Sequence, residues 1–167
     1  MRALVVYYSR TGLTKQACEA LAEDLQAAGH EAVTEELIDK TDRGGVLGFV
    51  RGGRDAMRKL DTEIEPVAAD PTAFDLVVIG TPVWAATCAP AVRVFCEQFA
   101  GKLARVAFVA TMGGRGDAGT YKAMQACCGA APVATLTLID KAIRKGDPEK
   151  YRAKVTAFAG ELAAADA

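Results

Sequence analysis

At 167 residues, 51% of them hydrophobic, the chain is long enough to bury one sizeable core and short for two, so a single domain over 1–167 is expected. A net charge of −1 with scattered lysines and arginines provides no basic field, which excludes nucleic acid as the expected partner. One histidine, His30, read as solvated surface, and five cysteines without CxxC spacing leave little from which to build a metal site or a Ser-His-Asp triad.

The cysteines, Cys18, Cys88, Cys96, Cys127 and Cys128, mostly fall in apolar surroundings and read as reduced thiols, which points to the cytoplasm. Met1 and Arg2 run straight into an apolar stretch with no signal-peptide pattern. The uncharged stretches 76–92 and 123–139 each contain glycine and proline, so no membrane span is expected.

In chain order, the first element is an apolar strand over 3–8, followed by Ser9-Arg10-Thr11-Gly12-Leu13-Thr14 and an amphipathic helix over 13–28. A helix start carries unpaired N–H donors and partial positive charge, and serine and threonine hydroxyls add donors without bulk. The combination suits a phosphate, with Gly12 allowing a tight turn. The same residues also describe an ordinary βα turn with a threonine cap.

A second strand over 32–38, with Glu35 and Glu36, is polar enough for a sheet edge. The glycine- and charge-rich segment 39–65 follows, with a short helix expected near 46–60; it reads as exposed, either a solvated crossover, a flap over a ligand, or a partner face. Strand three, 76–79, leads to Gly80-Thr81-Pro82-Val83-Trp84, where a large aromatic at a strand end needs something flat to cover. A helix over 90–100 and a fourth strand over 106–110 precede Thr111-Met112-Gly113-Gly114-Arg115-Gly116-Asp117, whose glycines permit close backbone approach to a ligand and whose Asp117 is expected to face Arg115. A helix over 119–128, a strand over 133–139 and a helix over 148–164 complete the alternation. This is the pattern of an α/β fold, a doubly wound five-stranded parallel sheet of order 2-1-3-4-5 with its ligand at the carboxyl ends of strands one and three.

The three loops together resemble the flavodoxin family over nearly the whole chain. Tyr7, Ser9, Gly12 and Thr14 are in register with the family's first-loop fingerprint, with Cys18 where alanine is usual, and Gly80-Thr81-Pro82-Val83-Trp84 is similar to the Gly-x-x-x-Trp spacing of short-chain members. The resemblance implies FMN as cofactor. Ser9, Arg10, Thr11, Gly12, Leu13 and Thr14 would hold its phosphate, with Arg10 either pairing with it or pointing into water. Thr81, Pro82, Val83, Trp84 and Ala85 would flank one side of the ring, with Trp84 stacked on it, and Thr111, Met112, Gly113, Gly114 and Asp117 the other.

Three departures from the dedicated electron carriers bear on chemistry. Ala85 and Ala86 follow Trp84 where carriers usually place glycine, and an alanine resists positive φ, which disfavours the one-electron-reduced flavin. Residues 81–91 carry no carboxylate, which eases an anionic fully reduced ring. The Gly113-Gly114 rim lacks an aromatic, Tyr121 being already in the next helix, and leaves a ring face open to a nicotinamide or quinone.

The leading expectation is an oxidoreductase that reduces a quinone, flavin or similar acceptor from a reduced nicotinamide, with no general acid named. The competing one is a carrier that docks on redox proteins. The region 43–58, where Phe49 and Val50 sit between charges, is expected either to build a homodimer face or to close over the flavin. A phosphoacceptor receiver is excluded because strand one ends in Tyr7-Tyr8-Ser9 rather than carboxylates, and a nucleoside triphosphatase because the Gly-Lys-Ser/Thr loop is missing.

Overall fold

The computed structural model describes residues 1–41, 54, 62–144 and 148–165. The strands are β1 (Arg2–Tyr7), β2 (Glu31–Glu36), β3 (Leu76–Trp84), β4 (Thr87–Cys88), β5 (Val106–Met112) and β6 (Thr135–Ile139). The helices are α1 (Leu13–Ala27), α2 (Pro90–Gln98), α3 (Asp117–Cys128), α4 (Asp140–Arg144) and α5 (Pro148–Ala164). The long strands are parallel in the order β2-β1-β3-β5-β6, and β4 pairs antiparallel with the end of β3. With β4 set aside, this is the expected order. The short β4 and α4 were not foreseen.

The alternation of side chains along β1 sorts the core into two layers. Ala3, Val5 and Tyr7 face α1 and α5, packing with Leu21, Leu25, Val155, Phe158 and Leu162. Leu4, Val6 and Tyr8 face the other way, toward Val92, Phe95, Cys96 and Met124 of α2 and α3. Because helices cover both faces, β1 and the first part of β3 are apolar at every position from Ala3 and from Leu76, as a buried parallel strand must be. Edge strand β2 buries only Ala32 fully and leaves Val33 41% exposed. The last strand starts later than expected, since Val133 stands outside it at 44% exposure.

β3 is longer than its apolar run suggested. Beyond Ile79 it continues beside β5 through Gly80↔Val109, Thr81↔Ala110 and Pro82↔Thr111. The Gly80 carbonyl accepts the Tyr8 N–H on the β1 side, while the Val77 N–H donates to Arg105 on the β5 side. Alternation therefore turns the nitrogen of Pro82 toward the side where β1 has already ended, so its missing donor breaks no ladder bond.

The segment that leaves β2 is pinned where it departs and returns. Asp39 and Ile64 form an antiparallel bridge, the Lys40 N–H donates to Glu63 O at 2.9 Å, and the Thr62 hydroxyl donates to Asp39 at 2.5 Å. Glu35 accepts the N–H groups of Ala68 and Ala69 and ties the return path to the sheet edge. The helix expected near 46–60 and the apolar pair Phe49 and Val50 lie outside the described residues. His30 departs from the expectation of a solvated side chain: it is half-buried, with Nδ1 at 3.3 Å from the terminal amine of Met1.

All five cysteines are free, and Cys127 alone is not fully buried. Burial pushes the Cys88 thiol up to about 12 and raises that of Cys18 still further; Cys96 is raised by its hydrogen bond with Cys128 and by burial. A thiol reagent at mildly alkaline pH should therefore modify Cys127 quickly and the other four only as the protein opens. Cys127→Ser should abolish the fast phase; a fast phase that survives it would contradict this packing.

Candidate functional site

The loops that leave β1, β3, β5 and β6 meet at the carboxyl end of the sheet around a cavity of about 280 Å³. Arg10, Thr11 and Thr14 line it from the first loop, Pro82, Val83 and Trp84 from the second, Thr111, Met112 and Gly113 from the third. Asp140 and Arg144 of α4 complete the wall. Of the residues expected from sequence, Ser9, Gly12, Leu13, Thr81, Ala85, Gly114 and Asp117 stand outside this lining.

In the first loop, Gly12 sits at φ 83°, in the left-handed region that favours glycine, and α1 starts immediately after it without a side-chain cap. Its first-turn N–H groups and its positive dipole end are thus available to a ligand, and no acidic side chain of that turn competes. The Ser9 hydroxyl is buried with no hydrogen-bond partner among the described residues, a costly state for a polar atom unless a ligand satisfies it. Leu13 turns inward and joins the α1 core.

Thr14 and Thr111, both 2% exposed, place their hydroxyl oxygens 2.8 Å apart. This bond latches the first loop to the third across the end of β3. One of the two hydroxyls donates in it, and the other keeps its proton for a further acceptor. Thr81 is fully buried and works within the protein: its hydroxyl accepts the N–H of Ala89 at 3.0 Å, at the start of α2, and donates to the Pro82 carbonyl at 2.9 Å.

β3 and β4 are joined by a two-residue hairpin, Ala85-Ala86, at φ 51° and 59°. Positive φ at both central positions is the pattern of a type I′ turn, normally supplied by Asn-Gly, and each alanine there costs about 1–3 kcal/mol. The expectation that alanines would keep this turn out of positive φ is thus corrected. What holds it is α3. A Cβ on Gly119 would lie 2.6 Å from the Ala86 carbonyl oxygen, and one on Gly116, at φ 109°, would lie 3.0 Å from the Ala86 Cα. The glycines that permit close approach are therefore Gly116 and Gly119, and what approaches is the protein's own hairpin. Gly113 and Gly114 face open space, with nothing within 4 Å of a Cβ built on either.

Asp117 does not face Arg115. Its carboxylate accepts the Thr137 hydroxyl at 2.9 Å, in a network where the Tyr121 hydroxyl donates to Leu136 O at 2.7 Å. The pull comes from β6, whose Thr137 presents a hydroxyl where α3 begins. The Tyr121 ring stacks on Phe108 at 6.3 Å and an interplanar angle of 18°, and burial pushes its hydroxyl up to about 12. Tyr121 packs against the core, which leaves the Gly113-Gly114 rim without an aromatic.

Trp84 is 8% exposed and stands edge-on to Tyr8, with ring centroids 5.6 Å apart at 90°. Tyr8 is the flat surface that its position demanded, and the part of Trp84 left uncovered contributes to the cavity wall. Asp140 and Arg144 were missed from sequence because a five-residue helix gives no periodicity signal. Their place directly after the last strand was the available clue, since ligands of such sheets gather at strand carboxyl ends. Burial raises the Asp140 carboxyl above its ordinary range, and the nearby Arg144 guanidinium opposes that rise.

Among the described residues there is no cluster of metal-ligating side chains and no helix long and apolar enough to cross a membrane. A family model described as Flavodoxin matches residues 2–155. Among solved structures, the chain is similar to a flavoprotein from Lactobacillus acidophilus NCFM in complex with FMN, with a TM-score of 0.71 and 19% identity, covering 90% of this chain and 97% of that one. It is also similar to oxidised Flavodoxin 2 from Bacillus cereus, with a TM-score of 0.62 and 20% identity, covering 98% of each chain. An NAD(P)H:quinone oxidoreductase from Methanothermobacter marburgensis gives a TM-score of 0.57 at 14% identity, covering 97% of this chain and 96% of that one. None of the curated proteins matches the sequence.

Proposed function

We propose that this chain, which belongs to the flavodoxin family and takes FMN as its cofactor, is an oxidoreductase that passes electrons from a reduced nicotinamide to a quinone, flavin or similar small acceptor. When bound, FMN supplies the hydride and electron transfer; the residues of the chain bind it, orient it and limit its contact with water. The buried Ser9 hydroxyl and the uncapped N-terminus of α1 fit a phosphate, each offering donors that the protein leaves unused. Thr14 and Thr111 hold the phosphate loop against the rim loop, and Trp84 with Met112 and Gly113 flanks the space for a planar ring.

The observation that carries the choice of an enzyme is the open rim. Gly113 and Gly114 are exposed, project no side chain, and have no aromatic beside them, so a flat partner can approach the ring face. The similarity to a quinone oxidoreductase supports the same reading, while the similarity to a Bacillus cereus flavodoxin supports a carrier that docks on redox proteins. We read the chain as one domain over 1–167, located in the cytoplasm on the strength of its free cysteines, and as a candidate homodimer whose mass in solution decides the point.

FMN-loaded protein purified by gel filtration should be yellow and should oxidise NADH or NADPH in the presence of a quinone at a rate proportional to protein. A protein that retains FMN, shows no nicotinamide turnover and builds up a one-electron-reduced flavin in anaerobic titration is a carrier. A colourless protein after exposure to excess FMN overturns both readings.

A further inference from the structure

The cavity carries charge from a second strand end, which the phosphate loop alone does not require. α4 follows β6 at once, packs beside α1 and brings Asp140 and Arg144 to the cavity that Arg10 and Thr11 also line. Several basic side chains on helix and strand surfaces have acidic partners: Lys15 with Glu36 at 3.1 Å, Arg93 with Glu97 at 3.7 Å, Arg152 with Asp24 at 2.6 Å. Arg144 is different. It is exposed, lines the cavity, and has no hydrogen bond or close ion pair among the described residues; Asp140 interacts with it only at longer range.

We propose that Arg144 is a ligand-binding residue, supplying a second, side-chain contact to the phosphomonoester of FMN from α4, which packs beside the helix that leaves the Ser9–Thr14 loop. The proposal rests on the FMN reading above and extends it to a residue on a different strand end. A guanidinium presents a planar fork of donors that matches a phosphate with two parallel bonds, and it is weakly hydrated for a cation, so little is lost when it turns from solvent to ligand. Arg144 adds a cation to a lining whose one carboxylate is that of Asp140. A dianionic phosphate is favoured there, and an uncharged flavin gains nothing from it. Asp140, half-buried beside the same cavity, is the acidic group whose carboxylate Arg144 favours.

The test compares FMN with riboflavin, which share the ring and differ in the phosphate. Dissociation constants for both are measured by flavin fluorescence on the full chain and on Arg144→Met, at low and at high salt. Arg144 is exposed, so the substitution leaves the core intact. The expected result is FMN weakened by about tenfold with riboflavin unchanged, the size of one partly solvated charge-assisted bond, and a smaller salt dependence of FMN binding in the variant. Unchanged FMN affinity, or an equal loss for FMN and riboflavin, overturns the role of Arg144. Failure of the unsubstituted chain to bind FMN at all overturns the cofactor reading instead, so the two failures are distinguishable.

Discussion

Trp84→Ala should lower the unfolding free energy by about 3–5 kcal/mol and change the visible spectrum of the bound flavin. The stability loss follows from burial: only 8% of the residue is exposed, its edge-on contact with Tyr8 disappears, and the end of β3 loses the side chain that closes the second core layer. The spectral change follows from position, because the same indole forms part of the cavity wall between Val83 and the Ala85-Ala86 turn. Urea unfolding gives the first quantity and an absorption spectrum of FMN-loaded protein the second. Trp84→Phe separates the two roles, since it keeps most of the apolar volume and changes the aromatic surface toward the ring. A large stability loss in Trp84→Ala with an unaltered flavin spectrum would make Trp84 a plug of the sheet end and nothing more.

Gly80→Ala should destabilise the protein by about 1–3 kcal/mol, and Cys18→Ala should recover part of that loss, since the contact with the Tyr7 Cβ remains. The residue sits where β1, β3 and α1 come closest. A Cβ there would lie 2.4 Å from the Cys18 sulfur, 2.9 Å from the Tyr7 Cβ and 3.3 Å from the Thr14 Cγ2. The sulfur is the worst of these contacts and the one that substitution can remove. The Cys18 sulfur occupies the space that a Gly80 Cβ would need, so the glycine and the cysteine complement each other in volume. Denaturant melts of the two single variants and the double variant form a cycle, in which the interaction energy should be clearly favourable. Additive effects would mean that the backbone moves apart instead, and that Cys18 and Gly80 are not packed as described.

How far the residues alone reveal this molecule varies from element to element. The apolar runs at 3–8 and 106–110 and the amphipathic pattern of α1 are local signals, and they hold to within a residue or two because burial on both faces, or on one stripe, leaves a periodic trace in the chain. β3 was read too short because Gly80, Thr81 and Pro82 interrupt the apolar run, although their partners on β5 and the early end of β1 make them good strand residues. The positive φ of Ala85 and Ala86 leaves no local trace at all. Nothing in an Ala-Ala pair demands it, and it is imposed by the packing of Gly116 and Gly119, at the start of α3 and thirty or more positions further along the chain.

The candidate site divides in the same way. Ser9, Thr11, Thr14, Trp84, Met112 and Gly113 were legible because loop chemistry after a strand is read from consecutive residues. Asp117 was misread as a partner of Arg115, because its true partner, Thr137, arrives from another strand.

What the residues determine by themselves, then, is the alternation of strand and helix, the two buried layers, and the presence of phosphate-suited and ring-suited loops, since each depends on side-chain chemistry at short spacing along the chain. Only the tertiary structure decides that the Thr14 and Thr111 hydroxyls bond each other, that Ala86 is clamped by Gly116 and Gly119, and that Asp140 and Arg144 join the cavity wall. These are contacts between distant segments, and the energy that selects them, packing and hydrogen bonding across loop ends, exists only once the sheet has brought those ends together.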